Sequence, residues 1–365
     1  MNILILKLGS LSLKTCLYST DTHASLREDR LGREQISGDL RDSMPRLVQC
    51  VLKECRADLQ GAEPHAIAVY SAFGGDAFRE PELVHTQTMS RLQSLITSAP
   101  MHTPALMLLL RTLSEAAPDV PVVLHFGTSF FSRLPERETL YGLDPAIMKS
   151  LHIRRFGFHG PFHEAVCRQI NETRKSSEKG LPRRIVSICL EPRPEVAAIL
   201  GNAPVMVSSG VTPLEGIPGH TTCGEIDPAI ALVLSQQLKW GPEQISNALT
   251  NSGGIRALTG DKATIGDVLQ SRGGKYELAR NVLQYRIQLA VGSAVAALSG
   301  IDAIAVSGRF ATAGEGLTRW LLSRPFFKNL QSRQKIETVM AAESLNAIIA
   351  DKTFVAVHGQ VGLTG

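Results

Sequence analysis

The chain has 365 residues, 44% of them hydrophobic, 20% charged and 5% aromatic, enough apolar material for one large or two medium cores, which excludes a disordered or collagen-like chain. Thirty-eight Lys and Arg against 34 Asp and Glu leave a net charge of +4, too small and too dispersed for a nucleic-acid footprint. No stretch approaches the roughly 18 consecutive apolar residues of a membrane span, and Met1 to Lys7 carries neither a basic start nor a cleavage site, so the expectation is a cytoplasmic protein without a signal peptide. Six cysteines, at 16, 50, 55, 167, 189 and 223, form no CxxC pair and read as reduced thiols acting as small hydrophobes rather than as metal ligands or a disulfide framework.

Apolar residues alternate over 3–6 and 11–18 around Gly9-Ser10, which reads as strand, tight turn, strand. Residues 40–58 read as an amphipathic helix, 66–72 as a buried strand, 104–117 as a helix, and Val122-Val123-Leu124-His125-Phe126 as a short strand. This alternation favours an α/β sheet with mixed pairing. A polar, Lys-rich loop over 172–184 precedes strands at 185–190 and 196–200. Leu278, Val282, Tyr285, Leu289, Gly292 and Ala296 then recur at the spacing of one helix face and lead into a buried strand at 303–306. The order hairpin, helices, strand occurs twice. It predicts two domains of related topology around a central cleft, with boundaries at 1–129 and 130–344. Phe354 to His358 reads as a strand, and the reading allows residues 345–365 to cross back and complete the first domain. Glu225-Ile226-Asp227-Pro228 reads as the cap of a helix, with Asp227 at the N-cap.

Two stretches are too particular for general fold grammar. Residues 153–163 read Ile-Arg-Arg-Phe-Gly-Phe-His-Gly-Pro-Phe-His, and residues 212–228 read Thr-Pro-Leu-Glu-Gly-Ile-Pro-Gly-His-Thr-Thr-Cys-Gly-Glu-Ile-Asp-Pro. With Leu8 to Lys14 and Ala99 to Pro104, they resemble the acetate kinase (acetokinase) family, in the same order and across nearly the whole chain. The resemblance implies the two-domain actin, Hsp70 and sugar-kinase type of α/β fold (ribonuclease H-like), with mixed sheets flanked by helices. It further implies ATP and Mg²⁺ as cofactors, transfer of the γ-phosphoryl group to a short-chain carboxylate such as acetate or propionate, and a homodimer. Neither a nucleic acid nor a membrane is implied as a partner.

A carboxylate attacking a terminal phosphate brings two anions together. Cationic donors must neutralise them, a metal must bridge the phosphates, and Gly-rich turns must admit the phosphate chain to backbone N–H groups. By resemblance, His159 and His102 are the active-site histidines, and Met101, Phe158 and Pro213 line the acyl pocket. Ser10, Ser12 and Lys14 keep the first phosphate-side turn, and Glu343 is the metal-binding glutamate. Other positions depart from the family pattern. Lys7 stands for an asparagine, Tyr70 and Thr222 for two arginines, and Gly127-Thr128 for an Asp-Thr pair. Cys189-Leu190-Glu191-Pro192-Arg193 replaces His-Leu-Gly-Asn-Gly. Thr264 and Gly266 fall where an Asp and an Arg hold adenosine, and Ser307 to Thr312 replaces a Gly-rich run. Glu191 puts a carboxylate where polyphosphate would approach, and Pro192 lacks the N–H a phosphate cradle uses. Two readings stay open: a phosphotransferase drawing charge from Lys7, Arg193 or Arg309, with Arg79 and Arg155 as further candidates, or an inactive pseudoenzyme with a binding or regulatory role.

Overall fold

The computed structural model describes residues 1–9, 12–32, 40–96, 103–173 and 182–359. Two compact units emerge, one of Met1–Ser132 with the chain from Ser344 onward, the other of Arg133–Glu343. Ser10, Met101, His102 and most of the Lys-rich loop, residues 174–181, lie outside the described residues.

In the first unit the strands are β1 (Asn2–Leu8), β2 (Ser12–Ser19), β3 (Ala24–Gly32), β4 (Ala66–Ser71), β5 (Glu82–Leu83) and β6 (Val122–Phe126), in the order β3-β2-β1-β4-β6-β5. β1, β2 and β3 form an antiparallel meander, while β4 and β6 extend the sheet in parallel from β1. The unbroken apolar run Ile3-Leu4-Ile5-Leu6 follows from burial on both faces. Leu4 and Leu6 pack towards the core built by the helices Leu40–Asp58 and Thr103–Ala116, whereas Ile3 and Ile5 pack with Cys16, Tyr18 and Ala68 against Ile349 and Ala350.

Those last two residues belong to a helix, Leu345–His358, which corrects the strand expected over 354–358. The helix begins at Ser344, whose Oγ accepts the N–H of Ala347 at 3.2 Å, a capping signal that outweighs the β-branched tail. Asn346, Ile349, Ala350 and Thr353 are its buried face, at the i, i+3, i+4, i+7 spacing of an α-helix.

The second unit repeats the pattern. β7 (Arg184–Cys189), β8 (Glu195–Leu200) and β9 (Ala203–Val207) form an antiparallel meander, with β10 (Ala303–Ser307) and β11 (Glu337–Met340) added in parallel, in the order β11-β10-β7-β8-β9. The helix Glu277–Leu298 lays Leu283, Ile287 and Val291 into one core with Val186, Ile188, Val196 and Ala198 of the sheet.

Candidate functional site

Within the second unit, the loops after β7 and β10 carry the residues that sequence reasoning placed on the nucleotide side. Leu190 donates its N–H to Ser307 O at 2.8 Å and accepts that of Phe310 at 3.0 Å, so the two strand ends are laced together. This places Glu191 against Arg309. The nearly buried Glu191 carboxylate accepts the backbone N–H of Arg309 at 2.8 Å, its Nε at 3.0 Å and its Nη2 at 2.9 Å. A carboxylate held by three donors is a satisfied anion. Arg309 spends its charge internally.

The neighbouring loop closes on the same region. His220 donates its N–H to Pro192 O at 2.7 Å, and its Nε2 accepts the N–H of Ile265 at 2.9 Å, which fixes the proton on Nδ1. Burial, followed by the Arg309 charge, lowers the pKa of His220 and keeps it neutral. Its ring lies 5.5 Å from that of Phe310. A Cβ on Gly266 would come within 2.9 Å of the Phe310 ring, so the aromatic side chain occupies the space beside that glycine. Thr264 caps the short helix Ile265–Gln270 in a mutual arrangement with Asp267. The residues that replace the two glycine-rich segments therefore bond to one another, and Phe310 packs beside Gly266 on the adenosine side.

His159 stands at the N-cap of the helix Gly160–Glu172. Its Nε2 lies 2.9 Å from Arg193 O, and a carbonyl can only accept, so Nε2 carries a proton and Nδ1 is the nitrogen left to act. The backbone N–H groups of Phe158 and His159 both donate to Glu195, each at 2.9 Å. The same carboxylate accepts from Ser209 Oγ at 2.5 Å and His163 Nε2 at 3.2 Å. His163 Nδ1 in turn lies 2.8 Å from Ser187 Oγ. Burial alone would raise the pKa of Glu195, but His163, the His159 charge and Ser209 outweigh it and hold the carboxyl at about 2. Glu195 and His163 went unassigned in the sequence. A lone acid ahead of the apolar run 196–199 was the available signal.

Phe158 is buried and Pro213 half-buried. Their segments are joined through Phe156 N to Gly210 O at 2.9 Å and Arg155 Nη1 to Ser209 O at 2.9 Å. Arg155 is consumed by Glu215, its Nη2 2.8 Å from Oε1, while Tyr141 OH donates to the other oxygen of Glu215 at 2.6 Å. Glu343 lies 3.8 Å from Arg168 Nη2. Among the described residues no group of three His, Cys, Asp or Glu side chains is arranged to hold a metal ion.

In the first unit, Ser12 O accepts the N–H of Gly9 at 2.8 Å, tying the start of β2 to the residue after β1. Lys14 on β2 stands opposite Lys7 on β1 and Arg30 on β3. Lys7 Nζ donates to Asn346 Oδ1 at 2.5 Å, so it is held by the C-terminal helix. Thr128 keeps a structural task, its Oγ1 accepting the N–H of Gly74 at 3.0 Å.

Comparison with known proteins agrees with this architecture. The profile described as the acetokinase family matches residues 35–319. A relative named acetate kinase, from Helicobacter hepaticus, is 29% identical over 328 residues, covering 83% of this chain and 81% of its own. Among solved structures, an acetate kinase from Porphyromonas gingivalis superposes with a TM-score of 0.81 at 21% identity, covering 98% of this chain and 99% of that one. A propionate kinase from Francisella tularensis superposes with 0.77 at 21% identity, covering 96% and 98%. The fold is thus the two-sheet mixed α/β architecture that the sequence led us to expect. The chain belongs to the acetokinase family.

Proposed function

We propose that the protein is an acetokinase-family member that binds a small carboxylate or related anion and does not transfer the γ-phosphoryl group of ATP. The Glu191–Arg309 pair carries this reading. Admitting a polyphosphate at the strand end would require breaking three hydrogen bonds to a nearly buried carboxylate and leaving like charges together. Pro192 offers no N–H in exchange, and Phe310 fills the space beside Gly266. These residues do not fit ATP with Mg²⁺, so no step of a reaction is derived through them. Support for the small-anion half comes from the polar anchoring of the Phe158-His159 loop by Glu195 and from the linkage of that loop to the segment bearing Pro213.

We also take the protein to be a cytoplasmic homodimer, as the family resemblance implies. The exposed apolar helix Ala229–Leu238 supports the dimer. No helix among the described residues is long and apolar enough to cross a membrane.

The test is a thermal-shift titration with ATP and Mg²⁺, run beside a hydroxamate trap for acyl phosphate with acetate and propionate. An unchanged melting temperature at saturating nucleotide, together with no trapped product, is the expected result, since a ligand that binds only the folded state must raise stability. Acyl phosphate formed at rates ordinary for such kinases would overturn the reading.

A further inference from the structure

Seven arginines of the second unit have carboxylate partners, among them Arg155 with Glu215, Arg168 with Glu343, Arg184 with Asp302 and Arg309 with Glu191. Arg193 differs. Its side chain is exposed and makes no hydrogen bond or ion pair with any described residue. Its backbone, by contrast, is tightly held. The preceding carbonyl, Pro192 O, accepts from His220, its own carbonyl is bonded to His159 Nε2, and Glu195 two residues on anchors the Phe158-His159 loop. Prolines on both sides, Pro192 and Pro194, fix the local φ angles. A long, charged side chain on a rigid base, accessible and unneutralised, has little to offer folding. Crowding by the surrounding chain penalises its charge and lowers its pKa, a cost that an arriving anion would relieve.

A second observation falls on the same place. Thr222 is 1% exposed and its Oγ1 has no hydrogen-bond partner. A Cβ placed on Gly219 would meet that hydroxyl, would lie 2.6 Å from Pro192 O and would lie 3.3 Å from Arg193 Cα. The unsatisfied hydroxyl and the backbone base of the unpaired arginine therefore flank one glycine, beside the Pro192 carbonyl that accepts from His220.

We infer that Arg193 is the guanidinium that anchors the small anion, supplying from the loop after β7 the charge that residue 222 does not. The inference rests on the small-anion half of the functional reading and names the group that performs it. The ligand class is a compact oxyanion that presents two oxygens to the planar fork of the guanidinium. A short-chain carboxylate and inorganic phosphate share that chemistry.

Calorimetric titration of the full chain with acetate, propionate and inorganic phosphate separates the sources, the tighter ligand identifying which one the site prefers. Arg193→Gln should weaken the preferred ligand at least tenfold while leaving the ligand-free melting temperature nearly unchanged, because the side chain gives up no hydrogen bond or ion pair to a described residue. Arg193→Lys should recover only part of the affinity, since an ammonium is a point charge. Arg319→Gln removes one positive charge from an exposed helix pair elsewhere and should leave affinity unchanged. If the wild-type protein binds one of these anions and Arg193→Gln binds it within twofold as well, the assignment of Arg193 is wrong while the functional reading stands. If the wild-type protein binds none of the three, both fall. Acyl phosphate formed from ATP by the wild-type protein would refute the functional reading, and formation at an equal rate by Arg193→Gln would refute the assignment of Arg193 with it.

Discussion

The carboxylate of Glu195 accepts the backbone N–H of His159 at 2.9 Å, so an acid inside the sheet layer sets the position of a histidine at a helix N-cap. All of its neighbours are donors: two backbone N–H groups, Ser209 Oγ and His163 Nε2. Removing it strands all four. Glu195→Ala should destabilise the protein by about 3–5 kcal/mol, the usual cost of breaking a buried charged cluster on one side. Glu195→Gln keeps acceptor capacity on one oxygen and should cost about 1–3 kcal/mol. Urea unfolding of both variants measures this. A Glu195→Ala protein as stable as wild type would mean that the cluster does not hold the loop.

Acid sensitivity has a separate origin in the first unit. His125 is fully buried, its Nε2 2.9 Å from Thr353 Oγ1. Burial first, then the Lys352 charge, holds its pKa down at about 3. In the unfolded chain it titrates near the ordinary value of about 6.5. Below that pH the unfolded state takes up a proton that the folded state refuses, so stability present above about pH 6.5 is lost as pH falls towards 3. Glu195, held at about 2, adds a second loss, which sets in below the ordinary carboxylate range near 4.3. The melting temperature of the wild type should fall steadily from pH 6.5 to 4. In His125→Asn the portion between 6.5 and 5 should become shallower without vanishing, because burial also lowers the pKa of His163 and His220. Parallel pH profiles for the two proteins would exclude His125 as the source.

Lys7 offers a different kind of test. It replaces a residue tied by resemblance to phosphate and metal, yet its Nζ bonds to Asn346 Oδ1, and Asn346 Nδ2 bonds to Glu28 Oε1 at 2.8 Å. The chain Lys7, Asn346, Glu28 thereby joins β1, the C-terminal helix and β3. Asn346 is 5% exposed, so Asn346→Ala removes a buried amide together with its two hydrogen bonds to charged partners and should cost about 1.5–3 kcal/mol, the range for hydrogen bonds to charged groups. Hydrogen exchange should show the helix Leu345–His358 losing protection before the rest of the unit. Uniform loss across the sheet would assign the cost to the unit as a whole instead.

The same region shows where sequence was legible and where it was not. β1, β2, β4, β6, β7, β8 and β10 could be read because their apolar runs are buried on one or both faces. The long helix Glu277–Leu298 was legible as a helix, but the stripe from Leu278 to Ala296 that announced it is not the buried one: Leu283, Ile287, Val291 and Leu298 face the core, because both sides of the helix carry apolar residues. β3, with Arg27, Glu28, Asp29 and Arg30 in its middle, carries the charges that protect an edge strand and so hides its pairing. The C-terminal helix was hidden by its Phe-Val-Ala-Val segment, and only Ser344 and the spacing from Asn346 to Thr353 betray it. At the site, the motif located His159 and Phe158. It gave no hint that Glu191 would find its partner 118 residues away in Arg309, because such pairing is a property of the fold and not of the local pattern.

The helix Ala229–Leu238 reads Ala-Ile-Ala-Leu-Val-Leu-Ser-Gln-Gln-Leu and contains no buried residue. A helix so apolar around much of its circumference belongs inside a packed structure, yet Leu232 is 63% and Val233 54% exposed. On the helix Glu277–Leu298, Leu278, Tyr285 and Leu289 are exposed on a common stripe. Arg286 Nη1 lies 3.5 Å from Glu225 Oε2, which brings the chain just ahead of the first helix to the second. The proposed homodimer would place these two faces at the apolar centre of its interface, a stable dimer contact burying roughly 800 Å² per partner. Leu232→Glu with Val233→Glu should convert a dimer into a monomer at micromolar concentration in sedimentation velocity. Because neither side chain is buried within the chain, unit-level folding followed by circular dichroism should persist. A wild-type protein that sediments as a monomer across that concentration range would remove the helix from any role in self-association.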